Sequence, residues 1–144
     1  MTQPPVEGLM IERRGAITEL VLNRPHTRNA VTQAMWAALP GLLDGLAGEC
    51  RVLVVRGAGN AFVSGADISE FAEVYATPER AETYSRQIAA ARDALAACPR
   101  PTIAMMRGAC FGGGCGVALA CDLRFADDSA RFAITAARMG LLYP

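Results

Sequence analysis

Lysine is missing from this chain of 144 residues: all fourteen cations are arginine, and fourteen acids bring the formal net charge to zero. Without lysine the chain can build neither a Schiff base nor the G-x-x-x-x-G-K-[ST] phosphate loop. The balanced charge and a pI near 6.6 leave no electrostatic footprint for nucleic acid or anionic lipid. Histidine is almost missing too. The single His26 lies in the turn Arg24-Pro25-His26-Thr27 and reads as a solvated loop residue, so a Ser-His-Asp or Cys-His nucleophile is not expected. No apolar run approaches the roughly 20 residues that a spanning helix requires. The cysteines (Cys50, Cys98, Cys110, Cys115 and Cys121) are odd in number and match no zinc spacing, and MTQPPVEGLM has neither the basic nor the apolar part of a leader. A reducing, cytoplasmic setting and no metal are expected.

What is present is an ordinary globular composition, 52% apolar and 19% charged, enough for one self-sufficient domain over 1–144. Leu9–Arg14 and Ala16–Leu22 alternate around Gly15 and predict a β-hairpin. Thr32 then caps an amphipathic helix through Met35, Trp36, Leu39, Leu42, Leu43 and Leu46, with Pro40 expected to kink it. Arg51–Arg56 reads as a strand covered on both faces. A short helix is expected to open at Ala66-Asp67, and a longer one from the Thr77 cap and Pro78 to Ala97. Thr102–Met106 is a second buried strand, Val117–Cys121 a fully buried helix, and Leu123–Ala126 and Arg131–Ile134 two short strands.

Strand, glycine loop and helix succeed one another twice, at 52–68 and 102–121. Such a junction aims free backbone N–H groups and a helix dipole at whatever lies in front of it, which suits an anion or a developing oxyanion. Dinucleotide binding fails on spacing: G-x-G-x-x-G begun at Gly112 needs glycine where Val117 stands, and begun at Gly114 it needs glycine where Leu119 stands. Close packing of a helix start is the competing role for Gly112-Gly113-Gly114.

The words around these loops resemble the enoyl-CoA hydratase/isomerase (crotonase) superfamily. They are Phe62-Val63-Ser64-Gly65-Ala66-Asp67-Ile68, Arg107 to Gly116, and Ala120-Cys121-Asp122-Leu123-Arg124. Arg24-Pro25 with Arg28-Asn29-Ala30, Phe132-Ala133-Ile134 and Arg138-Met139-Gly140-Leu141 fit as well. The resemblance runs from about Leu9 to the last residue. It implies an α/β fold, a crotonase-like spiral of ββα units (the ClpP/crotonase-type core), and acyl-CoA chemistry of fatty acid metabolism as a lyase or isomerase. No separate cofactor is implied, since coenzyme A is part of the substrate. The thioester oxygen would sit between the backbone N–H groups of Ala66 and Gly113, while Arg28, Ala30, Asp67 and Ile68 would lie along the CoA portion. Arg28 could equally be a surface cation, and Asp67 reads more as a helix-start acid than as a chemical group.

The family's hydratases supply two glutamates, and at those positions this chain has Gly116 and Ala136. Isomerase, decarboxylase or hydrolase activity then becomes the expectation, or a non-catalytic acyl-CoA-binding or partner subunit. Tyr143 could donate a proton, although a tyrosine beside an apolar run is more often core with a satisfied hydroxyl. Family members continue with helices that close the pocket and build trimers or hexamers, so the chain reads as a core lacking that C-terminal part. An uncovered apolar face would then favour self-association.

Overall fold

Alternation around Gly15 produces the hairpin that opens the chain: β1 (Leu9–Arg14) pairs antiparallel with β2 (Ile17–Leu22), Leu9 opposite Leu22 and Arg14 opposite Ile17. The computed structural model describes residues 6–46, 48 and 50–143. Residues 1–5, where a leader would begin, and Pro144 therefore lie outside the described residues. Further strands are β3 (Val52–Gly57), β4 (Thr102–Met106), β5 (Ala109–Phe111), β6 (Leu123–Ala126) and β7 (Arg131–Ala133). β3 joins β2 in parallel, β4 joins β3, and β6 joins β4, giving a five-stranded sheet of order β1-β2-β3-β4-β6. β5 and β7 pair in parallel as a second, two-stranded sheet.

The helices are α1 (Gln33–Asp44), α2 (Phe71–Val74), α3 (Pro78–Ala96) and α4 (Gly113–Ala120). Both expected caps are formed: Thr32 accepts from Met35 N at 3.2 Å and Thr77 from Arg80 N at 3.3 Å. α1 runs unbroken through Pro40. Its apolar stripe Met35, Trp36, Leu39 and Leu43 is buried in one core with Leu20, Leu22, Leu53 and Val55 of the sheet and with Tyr84, Ala91 and Leu95 of α3.

Two expectations need correction. The helix expected at Val117–Cys121 begins at Gly113, and it is not fully buried, because Leu119 is 70% exposed. The first turn of this helix carries glycine because it lies against β-bridged Val63, whose carbonyl oxygen a Cβ on Gly114 would overlap. The helix expected to open at Ala66-Asp67 starts at Ile68 as a single 3-10 turn and passes into α2 at Phe71. Asp67 is its cap and Ala66 is extended, held in a parallel bridge to Val31.

Candidate active site

The two glycine loops meet. Gly65 and Gly112 both have positive φ, +112° and +49°, a region that glycine enters without strain, and each turns the peptide linking it to the next residue. That next residue is Ala66 in one loop and Gly113, the first residue of α4, in the other. The Val31 bridge uses the groups on either side of Ala66: Val31 N donates to Gly65 O and Asp67 N to Val31 O. Ala66 N–H is thereby left facing the other way. Gly113 N–H has no partner within α4 because it belongs to the first turn. Among the described residues neither group donates a hydrogen bond. They are close neighbours, since a Cβ placed on Gly113 would sit 3.8 Å from Ala66 N and 3.1 Å from Trp36 Cζ2.

Both groups border a cavity of about 150 Å³. Its walls are aromatic and aliphatic, with Trp36 under Gly113 and the edge-to-face series Phe71, Tyr75 and Tyr84 to one side. Ile68, Ala136, Leu142 and Tyr143 also line it. Of the residues singled out in the sequence, the cavity brings together Ala66, Ile68, Gly113, Ala136 and Tyr143. Gly116 looks toward the same space from behind: a Cβ there would lie 3.6 Å from both Arg92 Nη1 and the Tyr143 hydroxyl.

Arg28, Ala30 and the Asp67 side chain are not in the cavity wall. Arg28 is a cation in the left-handed region, outside the core, and its carbonyl accepts from Ser64 N at 3.0 Å, which sets it at the rim. Ala30 is buried, and its carbonyl accepts from Arg24 Nη1. The Asp67 carboxylate accepts from Arg24 Nη1 at 2.7 Å, from Ser69 N at 3.0 Å and from Ser69 Oγ at 2.6 Å. The Ser69 hydroxyl does most to hold it below the usual carboxylate range; burial opposes this and Arg24 reinforces it. Asn29 was not singled out for a role, yet its fully buried side chain donates to Ala58 O and Ala61 O and accepts from Arg24 N, tying the Arg-Pro turn to the first glycine loop.

Tyr143 is 37% exposed rather than core, and its hydroxyl donates to Gly112 O at 3.0 Å. Burial raises its pKa while the nearby Arg92 opposes the rise. Cys110 and Cys115 flank the second loop: burial pushes the Cys110 thiol up to about 12, and Cys115 Sγ donates to Cys110 O at 3.1 Å. Trp36, Tyr84 and Arg92 line the cavity too and were not read as site residues. For Tyr84 and Arg92 the signal is in α3, where Tyr84, Ile88 and Arg92 recur every four residues and so share one face.

A sequence profile described as Enoyl-CoA hydratase/isomerase matches residues 12–144. The chain belongs to this family. A Δ(3,5)-Δ(2,4)-dienoyl-CoA isomerase of mouse mitochondria is 34% identical over 136 residues, covering 87% of this chain and 42% of the mouse protein. A hydroxycinnamoyl-CoA hydratase-lyase of Pseudomonas fluorescens is 36% identical, with 91% and 49% covered. Among solved structures, an enoyl-CoA hydratase/isomerase family protein from Hyphomonas neptunium superposes with a TM-score of 0.93 at 39% identity, covering 99% of this chain and 55% of that one. This family member thus has the crotonase α/β fold and spans about half the length of the relatives it matches. Those relatives are isomerases, hydratases and lyases, so the chain is related to enzymes that act on acyl-CoA thioesters. Among its described residues no helix is long and apolar enough to cross a membrane.

Proposed function

We propose that the chain binds an acyl-CoA thioester and stabilises its enolate between the N–H groups of Ala66 and Gly113. The observation that carries this reading is the convergence of two unpartnered backbone donors at the mouth of an apolar cavity. Donors fixed in a water-poor site need no reorganisation as charge develops on the thioester oxygen, and each contributes about 3–4 kcal/mol to such a transition state. The acyl chain would enter over Trp36. The CoA portion would leave past Ile68 and the rim at Arg28 and Ala30, with Asp67 keeping that rim in shape through Arg24 and Ser69.

The reaction does not follow the two-glutamate hydratase scheme. Ala136 stands in the cavity wall and Gly116 behind it, and among the described residues no aspartate or glutamate lines the cavity. Tyr143 is the nearest hydroxyl that could carry a proton. Its bond to Gly112 O, next to Gly113, couples it to the second donor loop. The same lack of carboxylates favours a second reading, in which the chain holds acyl-CoA without turnover.

One experiment separates these readings. Titration with butyryl-CoA should quench or shift the fluorescence of Trp36, the one tryptophan of the chain. In D2O the chain should also speed deuterium uptake at the α-carbon above the rate in buffer. Gly113→Pro suits the first position of a helix but deletes the donor; it should lower that exchange about 10²–10³-fold while circular dichroism stays unchanged. Ala109→Ser is the control. Binding without exchange would select the holding role. Absence of binding would overturn the acyl-CoA reading altogether.

A further inference from the structure

The polar side chains lining the cavity are an indole N–H, hydroxyls and one cation, with no carboxylate or amide among the described residues. Trp36 Nε1 and the Tyr84 hydroxyl are both buried and lie close enough to influence each other, yet among the described residues neither makes a well-aligned hydrogen bond. Burial leaves Tyr84 strongly protonated, which keeps it a donor. Arg92 is the cation of the set. This half-buried arginine lines the cavity, and its guanidinium meets no carboxylate or hydrogen-bond acceptor among the described residues. Within α3 the positions three and four residues away hold Ile88, Ala89, Leu95 and Ala96, so its own helix offers no acid either. A glutamate at 116 would have reached it. Glycine there leaves Arg92 Nη1 and the Tyr143 hydroxyl facing the place where such a side chain would begin.

Arg92 is half-buried without a counter-charge, and its planar fork matches the bidentate geometry of a carboxylate or a phosphate, of which the smaller carboxylate suits the acyl end of the cavity. The same cavity contains the Ala66 and Gly113 donors, so one ligand can span both ends. A space of about 150 Å³ suits a group of about six heavy atoms, the size of benzene. We propose that Arg92 is the specificity-determining residue of this cavity and that the acyl group it selects carries a second carboxylate, as in a short dicarboxylic acid joined to CoA through one end. Trp36 and Tyr84 supply further donors to the oxygens of that acyl group. This rests on the acyl-CoA reading above and adds the substrate class.

The test compares malonyl-, succinyl- and glutaryl-CoA with acyl-CoAs in which the free carboxylate is replaced by an isopropyl group of the same shape, each titrated into the full chain with Trp36 fluorescence as readout. At least one carboxylate-bearing ligand should bind about 10-fold or more tightly than its isostere, with the preference shrinking as salt is raised. Arg92→Gln should abolish the preference. Gly116→Glu should abolish it too, by giving Arg92 an internal partner while leaving the arginine in place, and Arg92→Lys should retain part of it. Circular dichroism checks that each variant folds. Should isosteres and carboxylates bind equally, or the preference survive in folded Arg92→Gln, the inference is overturned while the acyl-CoA reading stands. Should neither ligand class bind, both fall.

Discussion

Asp67 has both carboxylate oxygens engaged, one by Arg24 and the other by the Ser69 backbone and hydroxyl. Only 7% of the residue is exposed, so removing its charge should strand a largely buried guanidinium. Asp67→Asn is expected to cost about 1.5–3 kcal/mol in urea denaturation, the range for hydrogen bonds to charged groups. Its folded pKa lies below the unfolded one, so this contribution is fully present above about pH 4 and fades as pH falls through the lowered folded value. The gap between wild type and variant should therefore narrow in acid; a gap constant down to about pH 2, well below the unfolded carboxylate range, would mean the loss is one of packing. A helix-start acid of this kind is legible in a sequence because capping is local. Arg92 is different. One inward-facing cation in an alanine-rich helix looks like any solvated arginine until the fold shows which face is covered, and the four-residue stripe with Tyr84 and Ile88 is only a hint.

Elements whose signals are local, such as the hairpin, the Thr32 and Thr77 caps and the strand Thr102–Met106, stand where the sequence predicts them. α4 does not, and the reason is tertiary. Its first turn is glycine because the helix presses on Val63, and a glycine run reads as loop when the partner segment is about fifty residues away. Substitutions in this turn should therefore go in opposite directions. Alanine gains up to about 1 kcal/mol in helix propensity over glycine. At Gly114 the new Cβ would lie 2.3 Å from Val63 O, and backbone cannot move aside cheaply. Overpacking costs about 1–3 kcal/mol, so Gly114→Ala should lower the thermal midpoint. At Gly116 the nearest atom is Arg92 Cδ at 3.0 Å, part of a flexible side chain. Gly116→Ala should leave the midpoint unchanged or raise it. Calorimetry of the two variants reads the difference, and equal losses would contradict this account of the glycine run.

At the scale of the molecule, apolar side chains gather on the side of the later strands. β6 is the sheet edge and is exposed along its whole length, with Phe125 60% and Leu123 51% exposed, and Phe132 and Ile134 add 56% and 53% nearby. An uncovered edge strand carrying large apolar residues is a template for association. The chain should sediment as concentration-dependent oligomers and bind an apolar dye, and Phe125→Arg should reduce both. A dye-silent monomer at about 100 μM, within the range where exposed apolar surface drives association, would show that this surface is too broken to act as one patch. The strand order β1-β2-β3-β4-β6 also has a meaning in time. From β2 onward each of these strands docks on one that leaves the ribosome before it, so the main sheet can grow outward from the opening hairpin during synthesis, at about 5–20 residues per second. Once the β1–β2 hairpin has formed, no strand of this sheet waits for a later one to find its partner, although the nascent edge stays bare until the next strand arrives.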